Sequence, residues 1–206
     1  MTMRKKLFLI LPIMLMAIIF TQLGSYEATT THKTTNDINK IWTINFSQSI
    51  DPYTVDFSTV FITDQHGATV DTSLEVVAKN QVVISPNEWY KVGETYHLHI
   101  TEAVMSKDRQ PLKEKIVMPF TVAPLGEHIL SIEAVLNPLV TNFVVYGHPS
   151  VSHVTVTLPT GETRDLHRSL DRFSRGLAGV FPGEKLTVHA YDTSGKMLET
   201  IDYVLK

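Results

Sequence analysis

Beyond residue 40, apolar and polar positions alternate with a period of two through most of the chain. Trp42, Ile44 and Phe46 alternate with Thr43 and Asn45, the mark of a half-buried strand. Ser49-Ile50-Asp51-Pro52 ends that strand, because proline cannot serve in a ladder interior. Residues 60–63 form the next strand, closed by Asp64-Gln65-His66-Gly67, where glycine makes positive φ cheap. Residues 74–78 and 81–84 read as a hairpin around Lys79-Asn80, followed by breaks at Ser85-Pro86-Asn87 and Val92-Gly93-Glu94. The most regular strand is 95–101, with Tyr96, Leu98 and Ile100 on one face and Thr95, His97, His99 and Thr101 on the other. Residues 117–122 follow, with Phe120 as the apolar anchor.

After Pro124-Leu125-Gly126 the pattern resumes at Ile129. Strands are expected over 143–147, 151–158, 185–191 and 201–205, with turns at Pro159-Thr160-Gly161 and Asp192-Thr193-Ser194-Gly195. Short strands at regular spacing, Gly/Pro/Asn/Asp turns and no convincing helix predict an all-β chain of antiparallel sandwiches, one over 40–123 and one over 126–206.

One segment reads two ways. Arg164, Arg168, Arg172 and Arg175 are spaced four, four and three apart, with Leu166, Leu170, Phe173 and Leu177 at helical spacing on the opposite side. That spacing favours a short amphipathic helix presenting four guanidiniums together, a geometry suited to phosphate or carboxylate. Asp165 and Asp171 are spaced to pair with the arginines internally, which would leave an ordinary solvated face.

The N-terminus departs from the β pattern. Arg4-Lys5-Lys6 precedes an unbroken apolar run over residues 7–20, shorter than the ~20 residues that cross a bilayer core comfortably. Residues 1–28 therefore read as a secretory signal, with an uncleaved anchor as the alternative. Leu23-Gly24-Ser25 and Tyr26-Glu27-Ala28 each end in a small residue, but neither is an A-x-A site. In either case the remainder lies outside the cytoplasm. Any membrane contact is expected through this segment alone, and only if it is uncleaved. Residues 29–39, polar and threonine-rich, are expected to be a linker. The chain carries a net charge of -3, and removing the leader's three basic residues makes it more acidic, which argues against a nucleic-acid partner. With no cysteine, disulfides and thiolate metal sites are excluded.

The chemistry-bearing residues are scattered. His97 and His99 lie two apart on one strand face and could converge on a metal, but a third ligand is not evident and solvent-facing histidines are the simpler reading. Asp51, Asp64, Asp108 and Asp192 all fall in turns, where the carboxylate serves the turn itself more readily than calcium. Trp42, Trp89 and Tyr90 suit core packing better than a sugar platform. There is no G-x-S-x-G, H-E-x-x-H or P-loop. A Ser–His–Asp site is defined by geometry, so the absence of a motif leaves it open. No cofactor and no catalytic residue is implied.

Phe46-Ser47, Ile50-Asp51-Pro52, Asp64-Gln65-His66-Gly67, Ile84-Ser85-Pro86, Gly93-Glu94-Thr95-Tyr96 and Phe120-Thr121-Val122, in that order, resemble the bacterial Ig-like modules of surface-layer proteins (SbsA type). Ser106-Lys107-Asp108-Arg109-Gln110-Pro111-Leu112 departs from that pattern by lacking its glycine. Residues 154–161, 182–188 and 190–195 are similar to a second bacterial Ig-like module, of the kind found in adhesins and wall-associated proteins, and that resemblance implies a hairpin turning near Asp171-Arg172 in place of the helix. The resemblance implies two tandem Ig-like antiparallel β-sandwiches after an N-terminal signal segment, in an exported, Gram-positive cell-surface protein. Its expected role is a non-enzymatic spacer or interaction module contacting cell-wall material or another surface protein. The alternative is a wall-polymer or carbohydrate binder using Arg164, Arg168, Arg172 and Arg175. A secreted enzyme is the remote third possibility.

Overall fold

The computed structural model describes residues 31–170 and 172–206, so the expected leader over 1–28 lies outside the described residues. The first half contains strands β1 (Lys33–Thr35), β2 (Trp42–Asn45), β3 (Val60–Thr63), β4 (Thr72–Ala78), β5 (Gln81–Pro86), β6 (Thr95–Ile100) and β7 (Ile116–Val122). They form a four-stranded sheet in the order β1-β7-β6-β3 and a three-stranded sheet in the order β2-β5-β4. The second half contains β8 (Ile129–Val135), β9 (Thr141–Gly147), β10 (His153–Thr157), β11 (Thr163–Asp165), β12 (His167–Ser169), β13 (Arg172–Leu177), β14 (Lys185–Tyr191) and β15 (Met197–Val204). Its two sheets run β12-β13-β9-β8 and β11-β10-β14-β15. Each half is an antiparallel sandwich of the Ig-like kind, and the all-β expectation holds.

The described part of the threonine-rich stretch 29–39, from Thr31 on, differs from its expected role as a linker. Lys33–Thr35 runs parallel to β7, in register with Phe120, Thr121 and Val122, and Ile38 is buried against the first core. A three-residue strand has no period to detect, and its partner lies far downstream in sequence.

The alternation in 95–101 is reproduced side by side: Tyr96, Leu98 and Ile100 are buried while His97 and His99 face outward. The first core is aromatic. Phe120, wholly buried, lies 4.8 Å from the Trp42 ring, 5.2 Å from Tyr90 and 5.5 Å from Tyr96, centroid to centroid. Trp42 and Tyr90 are thus committed to packing, and Trp89 packs against the same core. Tyr96 also fixes a corner: its hydroxyl accepts from the Lys91 amide at 2.9 Å and donates to Glu94 Oε2 at 3.1 Å. Tyr90 differs, since its hydroxyl is buried with no partner, and burial pushes its pKa far up. The second core is mainly aliphatic, built on Val145, Val154, Val156, Leu177, Leu186 and Val188 around Phe143 and Phe173.

Two features organise the connection between the sandwiches. The Ala123 amide donates to Thr35 O in the first, and the Leu125 amide donates to Leu130 O in the second, so Pro124 alone separates them. At the start of β8, three consecutive amides converge on the Glu199 carboxylate from β15. Glu127 N donates to Oε1 at 3.0 Å, and His128 N and Ile129 N donate to Oε2 at 2.9 and 2.6 Å. Successive N–H groups facing one way form an anion-binding concavity, filled here by the protein's own side chain. Gly126 lies close beside it, and a Cβ there would displace that carboxylate.

Residues 164–177 are a hairpin, and the helical alternative is overturned. Residues 163–165 belong to one sheet and 167–169 to the other, and the chain crosses between them at Leu166, which is buried and donates its amide to Val154 O. Ser169 then pairs with Arg172 as β13 returns. The pleat decides the outcome: Phe173 and Leu177 share a face and both enter the core, which a strand permits as readily as a helix.

Candidate functional site

The hairpin does not gather the four arginines on one face. Directly paired residues share a face of the sheet. Arg164 lies opposite Val156, Arg168 opposite Phe173, and Arg175 opposite Phe143, all core residues, whereas Arg172 lies opposite Tyr146. Three guanidiniums therefore leave the sandwich at its open edge and one lies on its outer face.

Their engagements differ as well. Arg164 is held by Glu162 through two bonds of 2.8 Å, which lowers the Glu162 pKa and raises that of Arg164. Arg175 Nη1 donates to Asp165 O at 2.8 Å, reaching from one sheet to the other. Arg172 lies beside Tyr146 and Glu133. Burial pushes the Glu133 carboxyl up, opposed by the Tyr146 hydroxyl and the Arg172 charge. Among the described residues Arg168 is the most available: its guanidinium sits 5.6 Å from the centroid of the Phe173 ring, and among those residues only Nε is engaged, weakly, with Leu170 O at 3.3 Å. It borders a shallow recess of about 400 Å³ between Leu170 and the turn at His148 and Pro149. Leu170 is 89% exposed with φ at +59°, a backbone conformation that costs a leucine energy.

The histidines and acids sort by local structure. His99 accepts or shares a hydrogen with Thr63 Oγ1 at 2.9 Å and stacks on Phe61 at 4.7 Å. Its pKa is lowered by burial first, then by His97 and Lys115. Among the described residues no group of three or more His, Asp or Glu is placed to hold a metal. The turn aspartates spend their carboxylates on backbone amides: Asp51 on Tyr53, Asp64 on His66 and Ala68, Asp192 on Ser194 and Lys196. A serine–histidine contact and a histidine–aspartate contact both exist, on different histidines. Ser150 Oγ lies 2.9 Å from His148 Nδ1 and 3.1 Å from His128 Nδ1, while Asp165 pairs with His153 at 3.0 Å.

Sequence reasoning missed one feature, the connection over residues 51–59. Tyr53 is 93% exposed and Phe57 59% exposed on a segment closed by its own hydrogen bonds. Asp51 caps the turn Pro52–Thr54 through the Tyr53 amide. Asp56 Oδ1 accepts from the Ser58 amide and hydroxyl and from the Thr59 amide, and the Thr59 hydroxyl donates to Thr54 O. These bonds lower the Asp56 pKa. The available signal was two aspartates bracketing apolar residues that obey neither period.

No curated protein sequence matches the chain. Among solved structures, a pullulanase from Anoxybacillus sp. LM18-11 complexed with maltotetraose aligns at 13% identity and a TM-score of 0.28, over 79% of this chain and 22% of that one. The N-terminal part of the bacterial S-layer protein SbsC aligns at 12% and 0.37, over 84% and 42%. SGBP-B of the Bacteroides ovatus mixed-linkage glucan utilization locus, in complex with a mixed-linkage heptasaccharide, aligns at 12% and 0.28, over 85% and 43%. The chain spans less than half the length of each, and at these scores none bears on its function. The first sandwich is where a family match lies: the bacterial Ig-like domain model matches residues 26–122.

Proposed function

We propose that this chain is a non-enzymatic, exported bacterial protein whose two Ig-like sandwiches, over 40–123 with β1 added and over 126–206, act as a spacer or interaction module at the cell surface. The observation that carries this reading is the junction. Backbone bonding runs to Ala123 on one side and resumes at Leu125 on the other, so two closed cores are joined through a single proline. Such a connection maintains length and orientation better than it supports a moving active site. The separation of the serine–histidine and histidine–aspartate contacts supports the non-catalytic reading. Fractionating native cells into medium, wall and membrane, with N-terminal sequencing of the product, tests export and location together. Recovery from the cytosol would end the proposal.

Binding to an anionic wall polymer is a second reading, favoured by the free arms of Arg168 beside the recess. Retention on purified wall should fall for Arg168→Gln and for Arg172→Gln, and should not change for Arg164→Gln, whose guanidinium is already occupied by Glu162. Equal retention of all three variants would remove it.

A further inference from the structure

We propose that the 51–59 end of the first sandwich rests on a lipid bilayer, with Tyr53 and Phe57 in the interfacial layer, and that the apolar segment over residues 7–20 is retained as the anchor that holds it there. The inference rests on reading residues 1–28 as a membrane-inserting export segment, and it selects the anchor over the cleaved signal.

Three observations lead to it. The first is the shape of the tip. A loop whose polar groups are internally bonded has no need of two aromatic side chains in water, yet it presents both rigidly. Met105 extends the apolar surface at 36% exposure, bonded to the same loop through the Asp51 amide and the Thr54 hydroxyl. Tyr53 suits the headgroup level of a bilayer, where ring and hydroxyl are both accommodated, and Phe57 adds purely apolar surface beside it.

The second is the direction of the chain. β1 runs parallel to β7, and β7 ends at the junction with the second sandwich. Thr31 and His32, the described residues before β1, therefore lie on the side toward the start of β7. That end is built from residues 46–59 and 101–115, interlaced by Lys107 N to Ser49 O and Thr101 N to Thr59 O. β1 thus starts beside the second half of β7, with its leading end pointing toward the aromatic tip, and β7 leaves at the opposite end. Between Phe20 and Lys33 lie residues 21–32, which span at most about 40 Å when fully extended. An anchored leader keeps this end, and not the second sandwich, at the membrane.

The third is what surrounds the tip. The Asp51 and Asp56 carboxylates are turned onto the loop's own amides, so the face is less repellent to lipid phosphate than its sequence suggests. The adjoining connection carries Lys107, Arg109, Lys113 and Lys115 against Glu102, Asp108 and Glu114. Retention of the leader is consistent with the lack of an A-x-A site, and cleavage after Ala28 would remove the first residues of the matched domain.

The chain has no cysteine, so single nitroxide labels can be placed cleanly. The full chain is reconstituted into phosphatidylcholine vesicles with a label at Phe57→Cys, or at Tyr53→Cys as an independent position, and at Leu139→Cys, an exposed site in the β8–β9 connection. The expected result is a label at 57 or 53 accessible to oxygen and protected from a water-soluble nickel chelate, with the reverse at 139. Vesicle-bound protein whose labels at 53 and 57 are as open to the chelate as that at 139 overturns the contact while leaving the export reading intact. A native product whose N-terminus lies at residue 26 or beyond overturns the anchor. A cytosolic native product overturns the export reading itself.

Discussion

The two sandwiches close their cores by different means. The first concentrates its packing in four rings, Trp42, Tyr90, Tyr96 and Phe120, and covers the flank of β7 with the three-residue parallel strand β1. The second spreads its packing over many branched aliphatic side chains and closes its open edge with one strand that changes sheets at Leu166. A core built on a few large rings depends heavily on each one. A core built on many small contributions is more tolerant at any single position.

The largest effect expected from this contrast is Phe120→Ala, which removes the ring that touches the other three and should cost about 3–5 kcal/mol. Val188→Ala in the second core should cost less, about 1–2 kcal/mol, from fewer buried methyl groups. Denaturation followed separately by Trp42 and Trp89 fluorescence and by amide exchange in β14 should assign each loss to its own sandwich. Equal losses would remove the distinction.

Next in size is Glu199→Ala, which leaves three amides at the start of β8 without their carboxylate. The expected loss is roughly 2–3 kcal/mol, confined to the second sandwich, with faster amide exchange at Glu127, His128 and Ile129.

A sharper test lies within the first core. Tyr96→Phe should cost about 1 kcal/mol, because the Lys91 amide loses its acceptor. Tyr90→Phe should be neutral or slightly stabilising, because it deletes a buried hydroxyl that has no partner. Two tyrosines 4.7 Å apart would thus respond with opposite tendencies in chemical denaturation.

The smallest effect is electrostatic. The imidazole of His99 is held below its ordinary pKa of 6.5 by burial, with His97 and Lys115 adding repulsion. The unfolded chain binds this proton more readily, so stability is full above about pH 6.5 and declines as pH falls through the folded-state value. The thermal midpoint of the first sandwich should drop modestly between pH 7.5 and 5.5, and His99→Gln should flatten that slope. An unchanged slope would show that the half-buried imidazole contributes nothing.

How far the sequence could be read depended on whether a segment's neighbours were local. The strands at Val60–Thr63 and Lys185–Tyr191 were legible because alternation and turn residues agree. β1 was not, since its partner is brought alongside only by the finished sheet. The 164–177 hairpin was ambiguous because its turn includes Leu170 at positive φ, where glycine or asparagine would have signalled the reversal. The arginine spacing then mimicked a helical stripe. At the candidate sites, residue types were visible but engagement was not: nothing in the spacing separates Arg164, already occupied, from Arg168, largely free. The exposure of Tyr53 and Phe57 was also hidden, because apolar side chains in a β protein are ordinarily expected inside.

The Glu199 clasp has a consequence for the order in which the protein is made. It joins amides at the start of the second sandwich to a side chain about 70 residues later, on the last strand to emerge. The first sandwich has all its strands once β7 has emerged, whereas the second cannot seal its leading end until β15 follows. During that interval the start of β8 waits open, directly behind a partner that can already be folded.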